Sequence, residues 1–305
     1  MRKTQKIILN IAIFFVVTGF IWYMVQSINK EEVMYAETSQ ETALTTPYKK
    51  ISSFELPQDI NRFELQNGKL FISAGQSVHI YEAEGTPVNS FPVKQQVRDI
   101  TTTDSSIYIL YPTLIEVYTI NGELSHSWEA CSELSDYCSF TLAGDFVFVT
   151  DTENKNICKY TKEGNFVKFI QSPRGFIIPS YSFDIINRDD TIYCANSGRH
   201  LIEKYTLDGD FLAAFGGPGA EPGSFAGCCN PVYIAFTPEG ELLTSEKGNP
   251  RISTFERSGH FKEILLNSRL LGGGSKAYEV AVDENRLFVA EKNKITIYSD
   301  NKENI

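Results

Sequence analysis

From about residue 49 onward, apolar and polar positions alternate in short runs separated by glycine-containing turns, the pattern of successive short β-strands. One signature recurs six times: a β-branched or aromatic pair, then Tyr or Phe, three polar or small residues, and Gly. It reads VHIYEAEG up to Gly85, IEVYTING up to Gly122, ICKYTKEG up to Gly164, LIEKYTLDG up to Gly209 and ISTFERSG up to Gly259. The sixth copy, ITIYSDNK, has Lys302 in place of Gly. Its aromatic positions, Tyr81, Tyr118, Tyr160, Tyr205, Phe255 and Tyr298, lie about 37 to 50 residues apart. That is the length of a propeller blade.

Each signature follows a strand of period two: KLFIS (69–73), SIYIL (106–110), FVFVT (146–150), TIYCA (191–195), ELLTS (241–245) and RLFVA (286–290). Ahead of these come inner segments such as VRDIT, SFDII, VYIAF and YEVAV. After most comes a fourth strand ending in an aromatic, as at Phe91, Trp128, Phe169 and Phe215. Four short strands per repeat predict an all-β, six-bladed β-propeller. A β-sandwich also has short strands with regular turns, but not the same aromatic-to-glycine offset five times over. The Gly supplies the positive φ of a tight hairpin. The last repeat stops after its third strand, and residues 49–57, KKISSFELP, resemble the missing fourth one, so the two ends of residues 49–305 are expected to pair and close the ring.

Ahead of this domain the pattern changes. Residues 7–25, IILNIAIFFVVTGFIWYMV, carry no charge and are long enough for a transmembrane signal-anchor helix. Arg2, Lys3 and Lys6 precede it within residues 1–6, which the positive-inside rule assigns to the cytoplasm. Trp22 and Tyr23 then fall at the outer interface, and residues 26–48, rich in Glu, Thr and Ser, read as a flexible stalk. A cleaved signal peptide with a site at Met34-Tyr35-Ala36 is the alternative. The anchor reading puts the propeller on the periplasmic or extracellular side of the cytoplasmic membrane. The formal net charge of -10 excludes a nucleic-acid partner, because such a surface repels phosphate.

The stretch FGGPGAEPGSF (215–225), followed by NPVYIAFTPEGELLTSEKGNPRISTFERSGHF, resembles an NHL repeat. GCCNP (227–231) and TSEKGNPR (244–251) resemble a membrane-associated bacterial subset of NHL-like propellers. The resemblance covers the repeat up to Phe215 and the next one most clearly. It implies a module that binds proteins, peptides or nucleic acids, with a minority of metal-dependent enzymes.

Aligning the inner strands puts Arg62, Asp99, Ser139, Asp184, Tyr233 and Glu279 at one equivalent position, a candidate ring around the channel. They can satisfy one another, or Asp99, Asp184 and Glu279 can hold a divalent cation for a hydrolase or lyase. A second candidate ring ends the second strands: Asp151, Asn196, Glu246 with Lys247, and Glu291 with Lys292. Arg251 faces Glu246 across one hairpin, so an ion pair is the simpler reading there.

Cys131 and Cys138 flank the acidic loop CSELSDYC and are expected to form a disulfide. Cys158 and Cys194 lie on strands as small apolar residues. Cys228, Cys229 and the adjoining Asn230 form the least ordinary feature. The two cysteines can make separate disulfides, act as a redox-active vicinal pair, or ligate a metal or cluster. No C-x-x-C motif supports a zinc-ribbon, thioredoxin or haem assignment, and no cofactor is predicted beyond that possibility. His79, His126, His200 and His260 all lie off the inner strands, and FGGPG leads into a strand rather than a helix, which removes a phosphate loop. The leading expectation is a non-enzymatic binding or scaffold module with a protein or peptide partner outside the cytoplasm.

Overall fold

The computed structural model describes residues 5, 13–23, 48–272 and 276–300. Residues 13–23 are helical. Among the described residues no helix is long and apolar enough to cross a membrane. The rest of the 7–25 segment, the basic residues ahead of it and residues 26–47 lie outside the described residues. Tyr48, read from sequence as the end of the stalk, is already the first residue of a strand.

The remaining unit is an all-β propeller of six four-stranded antiparallel sheets. Its first blade contains β2 (Ile60–Gln66), β3 (Lys69–Ala74), β4 (Ser77–Glu82) and β5 (Pro87–Pro92). The second has β6 (Asp99–Thr102), β7 (Ser106–Leu110), β8 (Leu114–Thr119) and β9 (Leu124–Glu129). The third has β10 (Tyr137–Ala143), β11 (Phe146–Asp151), β12 (Asn156–Thr161) and β13 (Phe166–Ile170). The fourth has β14 (Ile185–Arg188), β15 (Thr191–Asn196), β16 (Leu201–Thr206) and β17 (Phe211–Gly216). The fifth has β18 (Tyr233–Phe236), β19 (Leu242–Glu246), β20 (Arg251–Phe255) and β21 (Phe261–Leu266). Blade six has β22 (Glu279–Val282), β23 (Arg286–Glu291) and β24 (Lys294–Asp300), and takes its outer strand, β1 (Tyr48–Glu55), from the other end of the domain. Residues from Tyr48↔Asp300 to Glu55↔Lys294 pair across this closure. The ring is therefore closed by hydrogen bonds, with β1 and β24 each covering an edge the other would expose.

The core is divided among the blades. Six buried apolar clusters sit one at each junction between neighbouring blades. This explains why the second and third strands are buried almost throughout, as in β7 and β20, despite their alternating sequences: the neighbouring blades cover both faces. Fourth strands such as β9 and β13 face solvent along most of their length.

The repeated glycine has two functions. Gly122 has φ +88, and a Cβ there would lie 2.6 Å from the Phe91 ring at the end of the preceding blade's fourth strand. Gly85 meets Phe54, Gly164 meets Trp128 and Gly259 meets Phe215 in the same way. Those rings also pack on the repeated aromatic of the next blade, with centroids 5.2 Å apart for Phe54 and Tyr81 and for Phe91 and Tyr118. In the third blade the equivalent residue is Ile170 rather than Phe169: Ile170 pairs with Ile157 and packs against Gly209, whereas Phe169 is exposed. The register is the same in the first and second blades, where the packed residue also lies ten positions after the repeated aromatic, as Phe91 does after Tyr81 and Trp128 after Tyr118; Phe169 is one position short of it and faces outward.

Candidate functional site

Inner strands converge on the axis, and the turn into each strand decides which residue points there. Asp99, Tyr233 and Glu279 open β6, β18 and β22, Asp184 immediately precedes β14, and Arg62 and Ser139 are the third residues of β2 and β10. The structure brings all six together. Arg62 Nε donates to Asp99 Oδ1 at 3.0 Å and Nη2 to Asp99 Oδ2 at 3.1 Å. Nη2 also donates to Asp184 Oδ1 at 2.7 Å and Ser139 Oγ at 3.2 Å. The Ser139 hydroxyl lies 2.6 Å from Asp99 Oδ2 and 2.8 Å from Asp184 Oδ1, and the guanidinium sits over the Tyr233 ring at 4.9 Å from its centroid. The ring residues satisfy one another, as the first of the two readings had it: the space between the carboxylates is taken by the protein's own guanidinium. A planar fork of donors is suited to that role.

Burial opposes the charge on Arg62, but Asp99, Asp184 and Glu279 outweigh it, and the guanidinium is held well above its ordinary pKa. Desolvation raises the Asp184 carboxyl despite Arg62, and raises Glu279 to about 8. Burial thus favours the protonated form of Glu279, while Arg62 Nε, 3.5 Å from its Oε1, works against that shift.

Below this ring the channel continues as a space of about 200 Å³ lined by the next inward-facing layer, including Glu64, Thr101, Thr141 and Ile186. Glu64 accepts a hydrogen bond from Thr101 at 3.1 Å, and burial raises it to about 8. It lies two residues after Arg62 on the same face of β2, so strand alternation pointed to it.

Above the ring lies a bowl of about 780 Å³ formed by the loops that lead into the inner strands. Its charged lining comprises Arg62, Arg98, Lys247 and Lys276 against Asp184 alone, although the chain as a whole carries -10. The Arg98 guanidinium lies 5.8 Å from the ring centroid of the exposed Tyr181 and also reaches Asp136 at 3.4 Å. Lys247 Nζ lies 2.8 Å from Ser180 Oγ. Arg98, Tyr181 and Lys276 sit in connecting loops whose sequences do not repeat, so the repeat alignment gave no signal for them.

The second-strand ends are mostly loop anchors. Asp151 Oδ1 accepts the backbone N–H groups of Asp136, Glu153 and Asn154 at 3.1 to 3.2 Å. Asn196 accepts the Ile177 N–H at 3.0 Å and donates to Glu203 at 2.8 Å. Glu246 pairs with Arg251 at 2.6 Å, both buried, and Arg251 continues to the carbonyls of Ser224 at 2.5 Å and Ala220 at 3.2 Å. Glu291 is exposed beside a smaller recess shared with Lys276 and Lys292.

GCCNP and SEKG converge in the fifth blade. Asn230, fully buried, accepts the Lys247 N–H at 2.9 Å and donates to the carbonyls of Lys247 at 2.9 Å and Ala226 at 2.5 Å. The expected Cys131–Cys138 bridge is absent, and all six cysteines are free thiols. Cys131 Sγ lies 3.5 Å from Cys158 Sγ in the cluster between the second and third blades. Cys138 points to the opposite face of β10, donating to the Tyr181 carbonyl at 2.9 Å and packing in the next cluster. Tyr137, its neighbour on the strand, occupies the Cys131 side, which strand alternation denies to Cys138. Neither Cys228 nor Cys229 bonds to a cysteine elsewhere in the chain. Among the described residues no cluster of three or more His, Cys, Asp and Glu side chains could hold a metal.

Replacing Arg62 with Met removes the guanidinium that meets three buried acids. The substitution is expected to cost about 3–5 kcal/mol in urea unfolding, with Arg62→Lys intermediate because it loses the fork. The raised carboxyls set the pH dependence. Glu64 and Glu279 keep their protons in the folded chain up to about 8, while the unfolded chain releases them near 4.5. Their contribution to stability is therefore complete below the lower value and is lost as pH rises through the upper one. The urea midpoint is expected to fall over that window, and Glu64→Gln with Glu279→Gln to flatten the slope.

No family model matches the chain. A stretch of 54 residues, 18% of the chain, is 43% identical to the E3 ubiquitin-protein ligase TRIM32 of Homo sapiens, of which it spans 8%. Similar solved structures include virginiamycin B lyase from Staphylococcus aureus, with a TM-score of 0.61 and 14% identity over 83% of this chain and 99% of that one. A Bacteroides thetaiotaomicron structural genomics protein has a TM-score of 0.60 and 12% identity, covering 83% and 72% of the two chains. The Neurospora crassa Pan2 WD40 domain gives 0.57 and 8%, covering 84% and 96%. At such identities the likeness establishes the fold alone, and that fold is the all-β six-bladed propeller described above.

Proposed function

We propose that this chain is a membrane-tethered, extracytoplasmic propeller of the NHL-like kind that binds a protein or peptide partner in the bowl above the Arg62 ring. The observation that carries the reading is the charge contrast: four cationic side chains and one carboxylate line the bowl of a chain with net charge -10. Arg62 is committed to its own ring, which leaves Arg98, Lys247 and Lys276, with Tyr181, to meet a ligand. A partly shielded concave site makes such charges more effective than isolated surface ones. The ligand class they fit is an acidic peptide segment, with Tyr181 offering a flat face beside the Arg98 fork.

The tether rests on the uncharged run 7–25 and the basic residues ahead of it. The full-length chain is expected to stay with membranes through carbonate extraction, and a protease added from the cytoplasmic side to leave the propeller intact. Release by carbonate would remove the anchor. For the binding reading, a fluorescein-labelled hexaglutamate peptide is expected to bind the full chain at low salt and more tightly than hexalysine. Arg98→Ala with Lys276→Ala should weaken that binding at least tenfold without changing the circular dichroism spectrum. Equal binding of the two peptides, or an unaffected double variant, would overturn it.

A further inference from the structure

Cys228 and Cys229 occupy a built position in the loop that leads into β18. Their Sγ atoms lie 2.9 Å apart. Cys228 is exposed and Cys229 is buried at 2% exposure, so one sulfur faces solvent and the other lies behind it. The loop holds them there. The side chain of Asn230 donates to the carbonyl of Ala226, so the residues on either side of the segment 227–229 are tied to each other. The same side chain is fixed to the backbone of Lys247 on the neighbouring hairpin through two further hydrogen bonds, and the Ala226 N–H donates to Glu246 Oε2 at 3.4 Å. The other four thiols are engaged elsewhere, with Cys131 beside Cys158 and Cys138 and Cys194 in the cluster between the third and fourth blades.

We propose that Cys228 and Cys229 are a thiol–disulfide exchange site that cycles between two thiols and a vicinal disulfide. The chemical class of its partner is a disulfide or dithiol, either a small molecule or a redox protein. In the oxidising direction the Cys228 thiolate attacks one sulfur of the partner disulfide, expelling the first partner thiolate and leaving a mixed disulfide. The Cys229 thiolate then attacks Cys228 Sγ, forming the Cys228–Cys229 bond and expelling the second. Two protons leave the cysteines and two are taken up by the released thiolates, and the two electrons lost by the cysteines reduce the partner. The reverse sequence begins with an external thiolate at the exposed sulfur of Cys228.

Ring strain makes this a switch rather than a staple. Adjacent Cα atoms across a trans peptide are about 3.8 Å apart, shorter than the roughly 4.4–6.8 Å that unstrained disulfides span. A bond formed under that constraint is the readily reduced kind. Hydrogen bonding with Cys229, then desolvation, raise the Cys228 thiol above its ordinary value, with the Lys247 ammonium acting in the opposite direction. Exchange is therefore expected to accelerate as pH rises through the thiol range. The inference is independent of what binds in the bowl.

Complete cleavage after Lys and Arg leaves both cysteines in one peptide, residues 205–247, which contains no other cysteine. The full chain would be equilibrated in buffers of varied glutathione to glutathione-disulfide ratio, quenched with iodoacetamide, digested and weighed. The expected result is a reversible conversion of this peptide from the doubly alkylated form to one lighter by two hydrogens and carrying no alkyl group. Its formation should be at least tenfold faster in the folded chain than in urea. Cys229→Ser should instead accumulate a glutathione adduct on Cys228. Double alkylation at every ratio, equal rates in urea, or cross-linking of this peptide to another cysteine-containing peptide would overturn the proposal.

Discussion

Six inner strands that converge on one axis bring six side chains into the same small space, and in this molecule the guanidinium of Arg62 makes that convergence possible. Three carboxyl groups point at the axis, an arrangement that mutual repulsion and desolvation would oppose without a cation. Arg62 meets Asp99 with two parallel hydrogen bonds and Asp184 with a third, while Ser139 bridges the two acids from the other side. The three acids also follow an alternating rule between blades. Asp99 of the second blade accepts the Phe140 N–H of the third, Asp184 of the fourth accepts the Ile234 N–H of the fifth, and Glu279 of the sixth accepts the Phe63 N–H of the first. The six-bladed ring is thus stitched at its centre with an approximate threefold pattern, each even blade reaching into the next odd one. Charge neutralisation and blade registration are performed by the same atoms.

A plugged axis changes where ligands can be received. The bowl and the space below the ring are separated by committed side chains, so the upper face must rely on its loops. Those loops carry cations on a chain that is otherwise acidic, which is an arrangement that selects as well as attracts: an anionic partner is drawn to one face and repelled by the rest. Burial favours the protonated forms of Glu64 and Glu279, which limits the negative charge that the channel adds beneath that face.

What could be read from the sequence follows from what repeats physically. The glycine and the aromatic recur because each blade presents a ring to a turn that has no room for a Cβ, as Gly122 does to Phe91. The axial residues were legible because inner strands align on the strands that follow them. Phe169 was misread because an aromatic was sought there, whereas the packed position is fixed by its distance from the repeated aromatic, ten residues on, and in the third blade that residue is the aliphatic Ile170. Cys138 was misread because nearness along the chain was weighed above the alternation of β10, which sends Tyr137 and Cys138 to different blade junctions. Arg98, Tyr181 and Lys276 belong to loops of unequal length, and only the fold shows that they meet.

The fifth blade illustrates how one insertion acquires structure. Its repeat is the longest, and the extra chain lies in the connection after β17 that carries FGGPGAEPGSF and GCCNP. An untethered loop of that length would be mobile. Here Arg251 reaches out of β20 to two carbonyls of the connection while Glu246 neutralises it, and Asn230 anchors the end that enters β18. The Glu246–Arg251 pair, ordinary as an isolated hairpin contact, is therefore the brace that holds the connection against the blade. Lys247, the residue after Glu246, has its backbone gripped by Asn230 and its ammonium beside Ser180 in the bowl. A change in the Cys228–Cys229 segment can reach that ammonium through Asn230, whose side chain holds both the Ala226 carbonyl and the Lys247 backbone.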